Sequence, residues 1–267
     1  MNDDYPQLSL SGKTALVCGS SQGIGKAAAI KLAAQGATVT LFARNIETLK
    51  AVCNELPAPC DQNHNYLMAE FNDSANLQAV IEKHLNSGAA YHILINNSGG
   101  PPGGPIIEAS PDEFLLAFNR HLIASHILSS LLFSGMKAAK YGRIINIIST
   151  SVKQPIKGLG VSNTIRGAMA AWAKSFSFEV ARFGITVNNI LPGYIDTDRL
   201  HTLIDKVADT KHISADEVEE MWRGLIPMGR FGQAAEIADA IAFLASPAAS
   251  YINGVSLPVD GGRLETI

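Results

Sequence analysis

The segment Gly19-Ser20-Ser21-Gln22-Gly23-Ile24-Gly25 carries the most readable chemistry in the sequence. It joins an apolar run at residues 14–18 to an Ala-rich stretch of helical pattern at residues 25–35. In such a turn Gly19 permits a bend that a side chain blocks. Gly23 lets a pyrophosphate approach the main chain, and Gly25 allows helix and strand to touch. The start of the helix then offers unpaired N–H groups and a partial positive charge to an anion. An isolated turn of this kind also occurs as an ordinary strand–helix connection, so its placement between strand and helix carries the weight. Arg44 follows the second apolar run, residues 38–43. An acidic residue there accepts from a ribose 2′-hydroxyl, whereas an arginine pairs with a 2′-phosphate through charge-assisted bonds. This favours NADP (NADPH) over NAD, against the plainer reading of Arg44 as the start of a solvated loop.

These residues need a scaffold, and the pattern supplies one. Strand-like runs at 14–18, 38–43, 66–70, 92–96, 143–148, 186–191 and 255–259 alternate with helical stretches at 25–35, 46–56, 76–87, 111–138, 165–182 and 234–244. Continuous apolar strands separated by helices predict a parallel sheet covered on both faces. Right-handed crossovers make it a doubly wound α/β Rossmann fold, and its ligand belongs at the carboxyl ends of the strands. The whole length, residues 1–267, reads as one dinucleotide-binding domain with a polar helical insertion at about 197–224. In that insertion Ser214 and Glu217 have the spacing of a capping box.

Composition agrees. The 267 residues hold 21 Lys plus Arg against 24 Asp plus Glu, a net charge of −3, with 47% hydrophobic and 17% charged residues. That is too apolar for a disordered chain and lacks the basic excess of a general nucleic-acid binder. Cys18, Cys53 and Cys60 form no CxxC pair, and His201 and His212 have no metal-ligand spacing, so no metal is expected. Residues 1–10 lack a signal-peptide pattern, and no uninterrupted apolar run reaches the roughly 18 residues of a membrane span. A soluble cytoplasmic setting is the expectation.

The spacing G-x-x-x-G-x-G resembles the short-chain dehydrogenase/reductase family, and further motifs extend the resemblance from about Leu10 to Arg263. Asn96-Asn97-Ser98-Gly99 is similar to the family's N-N-A-G motif, and Asn119 falls where the family has a helical asparagine. Asn146-Ile147-Ile148-Ser149 resembles the strand leading to the catalytic serine. Pro192-Gly193-Tyr194-Ile195-Asp196-Thr197 resembles the P-G-x-x-x-T loop. Ile226-Pro227-Met228-Gly229-Arg230 and Val259-Asp260-Gly261-Gly262 resemble the C-terminal signatures. The general look is that of the 3-oxoacyl-carrier-protein reductases. The resemblance implies hydride transfer between nicotinamide and a small carbonyl or alcohol substrate. Ser21, Gln22 and Ile24 of the turn, Asn45 beside Arg44, Glu70-Phe71, Asn97-Ser98-Gly99, Pro192, Gly193, Ile195 and Thr197 would then line the cofactor. It also implies a homodimer or homotetramer built on the helices at 111–138 and 165–182 and the end around 254–262.

The catalytic positions depart from the family. Ser149 matches the serine, but Ser162 stands where the family has tyrosine and Arg166 where it has lysine. A phenol titrates near 10 and a neighbouring cation lowers it toward neutrality, whereas a serine hydroxyl is far less acidic and its side chain is shorter. Arg166 keeps a positive charge and donors for ribose hydroxyls, in a planar fork. Tyr194 in the Pro-Gly loop and Lys153 after Ser149 are alternative donors, with a pocket wall and a solvated loop as their simpler roles. His121, two residues from Asn119, reads as a packed or interface histidine. The residues thus leave open an oxidoreductase with altered acid/base groups, a catalytically impaired NAD(P)-binding homologue acting as a sensor or structural subunit, and an enzyme whose proton comes from substrate or water.

Overall fold

The computed structural model of the protein describes residues 6–266; the first five residues of the acidic N-terminal segment lie outside it. In chain order the elements are β1 (Thr14–Cys18), α1 (Gly23–Ala34), β2 (Thr38–Ala43), α2 (Ile46–Glu55), β3 (Asn65–Met68), α3 (Ser74–Asn86) and β4 (Ile93–Asn96). They continue with α4 (Pro111–Phe118), α5 (Ala124–Ala139), β5 (Gly142–Ile147), α6 (Gly160–Val180), β6 (Ile185–Pro192) and β7 (Ile195–Asp196). The last are α7 (Asp198–Lys211), α8 (Ala215–Arg223), β8 (Gly232–Gln233), α9 (Ala234–Ala245) and β9 (Ser256–Val259). Seven strands form one parallel sheet in the order β3-β2-β1-β4-β5-β6-β9, and β7 and β8 pair separately.

Strand alternation divides the core into two layers. Ala15, Val17, Val39, Leu41, Ile93 and Ile95 pack on one face with Ala28, Leu32 and Ile241 of α1 and α9. Leu16, Cys18, Phe42 and Leu94 pack on the other with Ile81, Leu128 and Met136 of α3 and α5. Burial on both faces is why these strands read as continuous apolar runs. The helical run Pro111–Ala139 is long and apolar enough to cross a membrane by length and composition. Here its residues Leu128, Leu132 and Met136 are buried against the sheet instead.

Several expected boundaries shift. β3 ends at Met68, so Glu70 lies beyond it, and α6 starts at Gly160, which places both Ser162 and Arg166 on its first two turns. The polar insertion is two helices, broken at His212, which takes a left-handed φ of 56°, and restarted by the Ser214–Glu217 capping box.

Three buried asparagines and a half-buried serine form a row of side chains across four strands. Asn96 Nδ2 donates to Asn146 Oδ1 at 2.9 Å, Asn146 Nδ2 to Asn189 Oδ1 at 2.9 Å, and Asn189 Nδ2 to Ser256 Oγ at 3.0 Å. The register places these residues side by side on β4, β5, β6 and β9. Paired polar groups inside a dry sheet fix strand ends in a way apolar contacts do not, and these ends carry the site.

Candidate functional site

The glycine turn is pinned to β2: Gly19 N donates to Phe42 O at 2.8 Å, and Phe42 N donates to Ser20 Oγ at 2.9 Å. Gly19 and Gly23 have φ of +59° and +54°, a conformation that favours glycine. A Cβ on Gly25 would stand 2.1 Å from Gly19 O, and one on Gly19 2.7 Å from Asn97 Nδ2. Asn97 Nδ2 donates to Gly19 O at 3.3 Å and to Cys18 O at 3.4 Å, so it braces the turn. Gln22 caps α1 without a side-chain hydrogen bond, leaving the first-turn N–H groups to an outside acceptor. A cradle of glycines under a free helix start fits a dinucleotide pyrophosphate.

The residues around the cradle divide into those that face it and those with other duties. Ser21 and Ile24 are half-buried, and Gln22 and Gly99 are exposed. Thr197 lies across the cradle, with Cγ2 3.5 Å from the place a Cβ of Gly23 would take, and its hydroxyl donates to Ile195 O at 3.2 Å. Pro192 ends β6 and Ile195 is buried. Gly193 passes so close to the C-terminal loop that a Cβ would meet Asp260 Cα at 2.8 Å. Arg44 is exposed, with no ion pair among the described residues. Asn45 also has a structural duty: its Oδ1 accepts from Glu47 N at 3.0 Å and Thr48 N at 3.1 Å, capping α2. Glu70 is exposed, while Phe71 turns inward, with its ring centroid 5.2 Å from that of Phe42.

At the reacting end, Ser149 Oγ accepts from Ser151 N at 3.1 Å, which leaves its own proton for another acceptor. Ser162 and Arg166 are each 8% exposed. One turn apart on α6, they share a face. Arg166 Nη1 donates to Ile147 O at 3.0 Å, and its buried Nε has no partner. Burial, and secondarily the charge of Arg199, pull the guanidinium down to about 10, so it stays charged at neutral pH.

The helical asparagine is a correction. Asn119 is exposed, and the side chain delivered to the cleft is that of His121, buried in a π-helical turn spanning Asn119–Ile123. Ser98 Oγ and His121 Nδ1 are hydrogen-bonded at 2.8 Å, and His121 Nε2 has no partner. His121 borders one small cavity with Asn96, Asn97, Ser98 and Arg166. The widened turn shifts the phase of the helix, a feature no residue spacing announces. Of the alternative donors, Lys153 is exposed, and Tyr194 stacks on Trp222 at 4.8 Å with its hydroxyl accepting from Arg263 at 3.4 Å, the geometry of a pocket wall.

Desolvation, then the charges of Arg166, Arg120 and Arg199, hold His121 down to about 2. Because the unfolded imidazole titrates near 6.5, only the unfolded chain takes this proton between roughly pH 6.5 and 2. Stability therefore falls as pH drops through that window. We expect His121→Asn to lose less stability than wild type between pH 7 and 5, by up to about 2 kcal/mol in urea titrations. Equal losses in both proteins refute this.

A family model described as enoyl-(acyl carrier protein) reductase matches residues 19–263. The chain is 32% identical over 259 residues to the NADPH-dependent reductase BacG of Bacillus subtilis, covering 97% of this chain and 100% of that protein. It is 34% identical over 255 residues to the 3-oxoacyl-[acyl-carrier-protein] reductase FabG of Escherichia coli, covering 96% and 98%. Among solved structures, YwfH, an NADPH-dependent reductase involved in bacilysin biosynthesis, superposes with a TM-score of 0.91 at 32% identity, over 96% of this chain and 100% of that one. L-sorbose reductase from Gluconobacter frateurii, complexed with NADPH and L-sorbose, gives 0.91 at 29% identity, over 98% and 100%.

Proposed function

Because the chain belongs to the short-chain dehydrogenase/reductase family, in its 3-oxoacyl-carrier-protein-reductase-like branch, we infer that it is an NADP-dependent oxidoreductase. Its substrates are carbonyl or alcohol compounds, and it works without the family's tyrosine–lysine pair. When bound, the nicotinamide supplies or accepts the hydride. The chain's own residues do the rest. The α1 start and its glycines hold the pyrophosphate, and Arg44 meets the 2′-phosphate. Ser149 uses its free O–H to donate a hydrogen bond to the substrate oxygen, without giving up the proton. Arg166 places a buried positive charge where negative charge develops on that oxygen, as preorganised donors do in other sites. Ser162 is too weak an acid to replace a phenol, so the proton comes from water or from the substrate. The observation that carries this reading is Arg166, buried, charged and incompletely bonded one turn from Ser162. Assembly as a homodimer or homotetramer through α5 and α6 belongs to the same proposal, supported by Phe178, 70% exposed on α6. So does a cytoplasmic setting.

The test is a titration with NADPH and NADH followed by turnover on ketones and 3-oxoacyl thioesters, for wild type and Arg166→Met. Turnover that Arg166→Met removes supports the reading. Tight NADPH binding with no turnover on any substrate assigns the chain to the non-catalytic homologues, for which the buried Ser162 speaks. Binding of neither nucleotide overturns both. Arg44→Asp is expected to weaken NADPH roughly 10- to 100-fold, the worth of charge-assisted hydrogen bonds, and to improve NADH. Nicotinamide fluorescence reads both, and an unchanged NADPH affinity removes Arg44 from the site.

A further inference from the structure

We propose that the cleft takes an anionic substrate, one whose carboxylate is held by Arg199 and Arg166 beside the reacting carbon; this rests on the oxidoreductase reading above. The two guanidinium groups come from different helices and meet at Gly100, after β4. A Cβ on Gly100 would stand 2.5 Å from Arg199 Nη2 and 3.4 Å from Arg166 Nη2. Arg199 donates to Gly100 O at 3.2 Å and to Pro101 O at 3.3 Å, both neutral acceptors. Arg166 has Ile147 O and an unpartnered Nε.

Neither guanidinium has an acidic partner among the described residues. The flanking carboxylates are engaged or turned outward. Asp196 pairs with His201 at 2.8 Å, Asp260 accepts from Gly262 N and Leu264 N, and Asp198 is exposed. Two adjacent like charges, one of them buried, are costly unless an anion joins them, and a planar fork suits a carboxylate. The other anion at hand is the cofactor's pyrophosphate. The chain separates the two sites: Thr197 faces Gly23 of the cradle, whereas Arg199, two residues on, reaches the loop after β4 and Arg166. Arg166 in turn borders the cavity of His121 and lies one turn from Ser162. The pyrophosphate already has the α1 start, so the arginine pair falls to the substrate.

The probes are two acids matched with neutral forms, benzoylformate with its methyl ester and levulinate with its methyl ester. Binding is measured by calorimetry on protein loaded with NADPH and on nucleotide-free protein. The acids are expected to bind at least roughly tenfold more tightly than their esters. Arg199→Gln should abolish that difference while changing the NADPH Kd less than twofold, and Arg199→Lys should keep part of it. Equal affinity of acid and ester, or no acid binding below the millimolar range, overturns the proposal. So does an Arg199→Gln protein that loses NADPH affinity and keeps the acid preference, because Arg199 then serves the pyrophosphate. If NADPH fails to bind wild type, the oxidoreductase reading fails separately, and acid against ester on the nucleotide-free protein still decides the arginine pair.

Discussion

Ser162→Tyr combined with Arg166→Lys is expected to raise NADPH-dependent reduction of simple ketones by roughly 10²–10⁴-fold, the usual worth of a positioned general acid. Ser162 and Arg166 lie one turn apart on the start of α6, both buried. A phenol at the first position reaches farther than the hydroxyl it replaces, and a compact ammonium beside it lowers its pKa toward neutrality. The pair should therefore act as a unit. Ser162→Tyr alone gains less, because a guanidinium tied to Ile147 O is poorly placed to swing between ribose and phenol. Steady-state oxidation of NADPH, followed by absorbance, reads the gain. If wild type already turns over as fast as the double variant, the missing phenol has a replacement, and the proposed route through water or substrate is wrong.

Gly25→Ala is expected to be the most damaging small substitution in the chain. The new Cβ would lie 2.1 Å from Gly19 O and 2.8 Å from Asn97 Nδ2, and the first of these is backbone. No rotamer relieves that overlap, so α1 must move away from β1 or the turn must open. Overpacking costs about 1–3 kcal/mol where side chains can yield, and more here. At about 2–4 °C per kcal/mol, thermal denaturation should show a fall of roughly 10 °C. NADPH binding should be lost, since the α1 start no longer meets the cradle. Gly135→Ala is the control: it lies in α5 with open space where its Cβ would go, and helix propensity alone predicts a gain of about 0.5–1 kcal/mol. A Gly25→Ala protein with wild-type melting and NADPH affinity would show that the tight contact is dispensable.

The alternation of apolar runs and helical patterns is a local property, and it sufficed for the doubly wound sheet. A strand buried on both faces has to be apolar throughout, whatever its neighbours are. The glycine cradle was legible for the same reason, since backbone conformation and close approach exclude side chains at fixed spacings. Arg44, Ser149, Ser162 and Arg166 were located by position along the chain, and their chemistry followed from residue type. Side-chain direction was not legible. The sequence did not show that the unpaired N–H groups of the helix beginning immediately after Asn45 claim the Asn45 side-chain oxygen. Asn119 and His121 differ by two residues, about 200° around a regular helix, and a π-helical turn alters the phase that decides which enters the cleft. The side-chain row from Asn96 to Ser256 depends on the register of four strands far apart in sequence. Arg166 and Arg199 converge on Gly100 because α6 and α7 start, and the loop after β4 runs, at the same edge of the sheet. The chain order thus set the scaffold and the absence of a phenol; only the packing of helices on the sheet brought two arginines without acidic partners and a buried histidine together at its carboxyl edge.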